Sequence, residues 1–468
     1  DNWSEVKNIR ILENKSINEL YKNELQTIIS SETFEEAEKQ VYKNSRKQKD
    51  NKYTNFFRNF KFFYTKLEDL SPSEANILAE YILDKSEIIE IRSWNVEQAI
   101  TMFNSLNSDG MPLLDADIIS AKLYSNSGED RDGFNEKWSE LKKIILGLEE
   151  NNIIDIDSVL MQYMYIKRAQ DKEYISEKGS INVTTPGLRR YYTETNQQLL
   201  ESPLKLTAQL LKVSKIWYEI KDYSIIELCS KFNENLKLYL IPYLFRFEVD
   251  EITENLVTEY VENLLRLFAI LELVDIGYSS SKFKTFLFGL NTKLVDKNVS
   301  LSEIKQEIDR HINREWKKEE IETAARNYTK NPLIFLSEYL ACKNNDQKFI
   351  LPVKYEIEHI MPRSGKNIDQ IREDAGIVDK EEFSEVVNKL GNKILLEEDI
   401  NRSIGNSWFR SKIQNSVKER KGYKDSNFTL TKQIISSFEN QENPLWTVEN
   451  IKESSNREAK IITDFIFG

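Results

Sequence analysis

The stretch Tyr355-Glu356-Ile357-Glu358-His359-Ile360-Met361-Pro362 decides the reading of this chain. Its charged and apolar residues alternate, which predicts a strand, and Pro362 cannot donate to a sheet ladder, so the strand ends near it. An acid beside a histidine at a strand end is a place to bind a metal or hold a general base; taken alone, the pair also suits a purely structural role. After a polar, loop-like stretch comes Leu390-Gly391-Asn392-Lys393-Ile394-Leu395-Leu396, a second short strand on which Lys393 is free to point to solvent. Asp399-Ile400-Asn401-Arg402-Ser403 then opens a helix that is expected to include Trp408, Phe409, Lys412 and Ile413.

The order of strand with His, loop, strand with Asn and helix with Asn resembles the ββα-metal layout of the His-Me finger (HNH) nucleases. The residues also resemble the C-terminal nuclease domain of the GmrSD-type family, modification-dependent type IV restriction endonucleases. That family shows Glu-His-Ile-x-Pro, then Gly-Asn-Leu-x-Leu-Leu, then Asn, then Phe-x-x-Lys. Here the matching residues are Glu358 to Pro362, Gly391 to Leu396, Asn401, and Phe409-Arg410-Ser411-Lys412, with Lys393 in place of the usual apolar residue.

The chemistry implied is metal-dependent hydrolysis of DNA phosphodiesters. Such hydrolysis needs an activated water, in-line geometry and a cation near the leaving oxygen. An unperturbed His is largely neutral at pH 7 and can take a proton from water. By resemblance His359 is the general base, and Glu358 and Asn401 are the metal-side residues, holding Mg2+ or Mn2+ through oxygens. Strand alternation also allows Glu358 to face away from the cleft. Asn392 joins the catalytic set, read as fixing the loop and the imidazole rather than touching metal. Asn406 is a second Asn near the helix. The only other histidine, His311, lies in a charged helical stretch and is expected to be solvated or structural.

Composition narrows the fold class. The 468 residues predict about three domains, or two large ones. With only 14 Gly and 9 Pro, turn-rich all-β architectures are disfavoured and a mainly α protein is expected. Two cysteines exclude a disulfide framework and a Cys-rich zinc site. No apolar run is long enough for a transmembrane helix, and a cytoplasmic protein is expected. The net charge of −12 argues against a whole-surface nucleic-acid binder but leaves room for a local basic groove. Such a groove is expected from Arg402, Arg410, Lys412, Lys418, Arg420 and Lys421, with Lys424 beside them, lying along a DNA backbone; a solvated helical face is the alternative.

Upstream, Leu256, Tyr260, Val261, Leu264 and Phe268 recur at helical spacing and mark a buried face. The aromatics of 56–64 read as a core-facing stripe of one helix, with base stacking as the rival. Ser71-Pro72-Ser73-Glu74 opens a helix as a capping box. Ile88 to Ile91 is expected to be a strand. Phe103 to Leu123 resembles the Phe-x-x-Leu-Asn-x-x-Gly-x-x-Leu-x-x-x-Asp-Leu-Ile-Lys pattern of the family's ParB-like N-terminal domain, with Ser120 where Lys is usual and with Asp115 or Asp117 placed to cap a helix. That domain implies nucleoside triphosphate binding, yet the family's Asp-Gly-Gln-Gln-Arg motif is absent. The nucleotide site is therefore expected in a part outside this chain, either an N-terminal portion or a partner chain.

The expected organisation is a remainder of a ParB-like domain at 1–130, a helical middle domain at 131–330, a nuclease domain at 331–440 and a C-terminal extension at 441–468. The expected function is an endonuclease of anti-phage defence acting on DNA, including modified phage DNA, under nucleotide control. A DNA-binding sensor subunit with little cleavage of its own is the alternative, and assembly into an oligomer stays open.

Overall fold

The computed structural model describes residues 19–43, 52–87, 98, 102, 114–175, 181, 184–274, 280–377, 379–413 and 420–468. Helices dominate, and two short strands form the only sheet among the described residues. The mainly α class follows.

Helices α1 (Glu19–Ser30), α2 (Phe34–Gln40) and α3 (Asn55–Leu67) enclose a small core of Ala37, Val41, Tyr53 and Phe57. Thr33 and Thr54 cap α2 and α3 by accepting backbone N–H bonds. The expected aromatic stripe is only partly buried. Phe57 faces the core and Phe60 packs on it, three residues along. Phe62 and Phe63 fall on the far side of α3 and are 57% and 59% exposed. Helix α4 (Pro72–Asp84) opens with the predicted Ser71/Glu74 capping box and Pro72. The expected strand at 88–91 and the stretch 103–113 lie outside the described residues, as does Lys418.

The main core joins α5 (Asp115–Asn126), α6 (Arg131–Glu150), α7 (Ile156–Gln170), α8 (Pro203–Ile220), α9 (Lys237–Leu244), α10 (Glu254–Leu273), α11 (Ser281–Leu294), α12 (Leu301–Glu315), α13 (Lys318–Arg326) and α14 (Pro332–Asn344). Neither Asp115 nor Asp117 is the N-cap of α5; that place is Leu114. Asp117 reaches back from inside the first turn to accept the Leu114 N–H, and Asp115 accepts the N–H of Arg189. On α10 the expected face is buried at Tyr260, Val261, Leu264 and Phe268. Leu265, Leu267, Ala269 and Ile270 are buried too, because neighbours cover α10 on more than one side. His311 is structural but not solvated: it is buried on α12 and stacks on Phe286 with ring centroids 3.6 Å apart.

The strands, β1 (Tyr355–His359) and β2 (Lys393–Glu397), pair antiparallel between the main core and a second core, to which β2 gives Ile394 and Leu396. The stretch between them is not all loop. It holds α15 (Ile368–Asp374) and α16 (Lys380–Val387), whose Ile371 and Val386 enter that core. Directly after β2 comes α17 (Glu398–Ile404). The single helix expected through Ile413 breaks at Gly405, where φ is +50°, a conformation that suits Gly, and resumes as the five-residue helix Phe409–Ile413. Helices α18 (Thr429–Phe438) and α19 (Val448–Phe467) complete the chain.

The two cores do not separate at the expected boundaries. Ala116, Ile119 and Leu123 of α5 share the main core. Helix α14 gives Leu333 and Leu336 to the main core and Ala341 to the second. Helix α19, expected as an extension, gives Ile451 to the second core and Ile462 and Ile466 to the main one. Gly391 makes this docking close: a Cβ there would lie 2.3 Å from the Ser455 backbone nitrogen.

Candidate active site

The hairpin has two faces of different character. Successive strand residues point to opposite sides, so Glu356 and Glu358 share one face while Ile357 and His359 share the other. The register pairs Glu358 with Ile394 and His359 with Lys393. Ile394 and Leu396 enter the second core, on the side where Ile400 and Ile404 of α17 pack. Leu395 enters the main core, and Ile357 packs against it. Glu358 and His359 therefore diverge, one toward α17 and one away.

On the helix face, Glu358 is buried, and its Oε1 accepts hydrogen bonds from Lys412 Nζ and from Tyr423 Oη (2.9 Å). Lys412 also donates to the carbonyl oxygens of His359 (2.9 Å) and Ile360 (3.1 Å), so all three ammonium protons have acceptors. Burial pushes the Lys412 ammonium below its usual range, and the Glu358 carboxylate acts against that. Burial and the same carboxylate push the Tyr423 phenol well up. This corrects the expected role of Lys412: with 0% of its side chain exposed it cannot lie along DNA, and it instead clamps the end of β1. Asn401, the metal-side residue expected on α17, donates through Nδ2 to the carboxylate of Glu356. Asn406 is exposed beyond the end of α17, beside Gly365.

On the other face, His359 is half-buried at the strand end. Its Nε2 is buried and, among the described residues, has no hydrogen-bond partner. Burial, then the nearby charges of Lys393, Arg363 and Lys412, push the imidazole down to about 4, so it is neutral at pH 7. Lys393 does not point to solvent. It is 6% exposed and donates to the Thr329 carbonyl, with the Lys330 carbonyl and Asn331 Oδ1 at 3.5 and 3.4 Å. Burial first, and Arg363 second, push its ammonium down to about 8.

Asn392 is fully buried, and both ends of its amide are used. Oδ1 accepts the Met361 N–H (2.8 Å) and the Trp446 indole N–H (3.0 Å). Nδ2 donates to the carbonyls of Met361 (3.0 Å) and Val387 (2.8 Å). Such an amide touches no substrate. It fixes the backbone that follows His359.

Three cations of the expected basic run are paired on their own side. Arg402 pairs with Glu398 and Lys421 with Asp399, at 2.5 and 2.6 Å, and Lys412 with Glu358. Arg410 and Arg420 are exposed. Among the described residues no group of three or more His, Cys, Asp or Glu is placed so that it could hold a metal ion. The oxygen donors near α17 are Glu356, Glu358 and Asn401. Glu356 and Tyr423 are the partners that sequence reasoning missed. Period-two alternation carried a signal for Glu356, which shares a face with Glu358; no local signal brings Tyr423 across 65 residues.

This hairpin, the helix after it and the clamp from Lys412 all fall within one recognisable stretch. Residues 306–461 match the family model of the GmrSD restriction endonucleases, C-terminal domain. The match supports a GmrSD-type C-terminal region there, and with it nuclease chemistry on DNA in phage defence. The GmrSD-type region begins within α12 and ends within α19, so it takes in all of α14 and the larger part of α19. No curated protein and no solved structure matches the chain. Among the described residues no helix is long and apolar enough to cross a membrane.

Proposed function

We propose that the chain is a metal-dependent DNA endonuclease of the His-Me finger (HNH) type, with His359 as its general base. One observation carries this reading: a neutral imidazole with an unpartnered Nε2 sits at the end of a strand inside the matched stretch. An unsatisfied buried polar atom costs about 1–3 kcal/mol. Its retention makes sense where a reacting water or phosphate supplies the partner.

In the proposed reaction His359 Nε2 takes a proton from water as the water oxygen attacks phosphorus. The bond from phosphorus to the leaving oxygen breaks, and the electron pair goes with that oxygen. Asn392 holds the backbone after His359, and Lys412 holds the backbone at and after it, so the imidazole needs little reorganisation. The oxygens that would hold a hard cation of the Mg2+ or Mn2+ class are those of Glu356, Glu358 and Asn401, on the α17 face of the hairpin and opposite His359. Glu356 and Asn401 offer oxygens, and Glu358 Oε2 accepts no hydrogen bond among the described residues while Oε1 is clamped. Mg2+ is commonly held by one or two carboxylates, waters and phosphate oxygens, without a protein cage. Such a cation would supply charge neutralisation for phosphate chemistry. Control by nucleotide and by DNA modification belongs to the same reading; the first rests on the resemblance of residues 103–123 and the second on the resemblance to the GmrSD-type family.

Supercoiled plasmid incubated with Mg2+ or Mn2+ tests the reading. Nicked or linear product that disappears with EDTA is expected. Plasmid that is bound but stays intact, with modified and unmodified DNA and with or without GTP, would favour a sensor subunit instead.

A further inference from the structure

The sequence points to Arg402–Lys424 as the DNA-contacting surface, and the structure distributes charge differently. On the α17 side Arg402 and Lys421 are each paired with a carboxylate. Glu356 adds further negative charge on that face of the hairpin. A phosphate approaching Arg402 or Lys421 meets a cation that is already compensated.

The His359 side is the reverse. Lys393, opposite His359 in the register, is buried, yet its partners are neutral carbonyl and amide oxygens. Among the described residues no carboxylate pairs with it. A buried charge is costly unless an opposite charge offsets it. Arg363 follows Pro362 just after the strand, is exposed, and forms no ion pair among the described residues. Its charge is felt at both His359 and Lys393. Two uncompensated cations thus flank an imidazole whose Nε2 lacks a partner. The missing component is an anion with oxygen acceptors.

We infer that the DNA backbone meets the hairpin on its His359 face, with a phosphate in the joint field of Arg363 and Lys393, and not at the carboxylate-paired Arg402 and Lys421. The inference rests on the endonuclease reading and locates its substrate. Lys393 anchors the phosphate's field from behind while Arg363 meets it from the solvent side. Backbone phosphate is the shared chemistry of every DNA sequence, so this interaction contributes affinity and position without base preference.

The test is salt-dependent binding of a labelled duplex by the full chain, in a His359→Ala background with Mg2+ so that the duplex stays intact. Each phosphate that is no longer neutralised flattens the slope of log K against log salt by about 0.9. Arg363→Ala is expected to weaken binding several-fold and to flatten the slope by about that amount, while Arg363→Lys keeps the slope. The double variant Arg402→Ala/Lys421→Ala is expected to leave affinity within twofold and the slope unchanged. Circular dichroism checks that each surface variant folds. An unchanged slope in Arg363→Ala, or a flattened one in the double variant, overturns the inference while leaving the endonuclease reading intact. Absence of DNA binding by the parent chain overturns both.

Discussion

Lys412 and Lys393 stand on opposite faces of one hairpin and are both buried, at 0% and 6% exposure. Their surroundings differ in one respect. Lys412 has a carboxylate, Glu358, with Tyr423 on the same oxygen. Lys393 has only neutral oxygens from residues 329–331. The paired lysine belongs to a closed cluster that holds β1 in place. The unpaired one leaves positive charge beside the candidate base. A buried cation that lacks an anion within the protein marks where an external anion belongs, and a satisfied one marks architecture.

This contrast can be broken by removing each lysine in turn. Lys412→Met strands the Glu358 charge in the core and is expected to cost about 3–5 kcal/mol in urea unfolding. Adding Glu358→Leu should return most of that loss, because pair removal is far cheaper than breaking the pair. Asn392→Ala should cost at least ~1–3 kcal/mol, since it unpairs the Met361 backbone groups and the Trp446 indole together. Gly391→Ala should cost on the order of 1–3 kcal/mol, because the new methyl would press on α19 at Ser455. Lys393→Leu, which restores the apolar residue usual in the family pattern, is expected to change stability least at pH 7, by ~1 kcal/mol or less. A loss as large as that of Lys412→Met would erase the distinction between the two faces.

Acidity sharpens the same contrast. The Lys393 ammonium sits at about 8 when folded against an ordinary 10.5, so between those values the unfolded chain binds more protons. Its contribution to stability therefore rises with pH across that window, and Lys393→Leu should flatten the rise in urea midpoints. His359, at about 4 against 6.5, behaves alike at lower pH. Stability is lost as pH falls from about 6.5 toward 4, and His359→Ala should remove that part of the slope.

Much of this region was legible in the sequence. Alternation gave β1 and Pro362 bounded it; the second strand, expected over 390–396, forms at Lys393–Glu397 because Leu390–Asn392 makes a 3-10 turn. The roles of the charged residues were less legible because burial is a tertiary property. Lys412 reads as one of a basic run until Glu358 and Tyr423 enclose it; Glu358 lies 54 residues from Lys412 and 65 from Tyr423. Lys393 reads as a solvent-facing strand residue until the 329–331 turn covers it. The expected domain limits missed that α14 and α19 each serve both cores, since amphipathic spacing shows that a face is buried but not against what. Phe62 and Phe63 show the converse: aromatic density predicted burial, and the helical phase placed them outside.

The central claim is that His359 performs proton transfer at a site the rest of the hairpin holds ready. Single-turnover cleavage of plasmid by the His359→Ala variant tests it most directly, alongside its duplex affinity and its circular dichroism spectrum. An unchanged fold, retained DNA binding and no detectable cleavage are expected. Cleavage at the parent rate would contradict the claim.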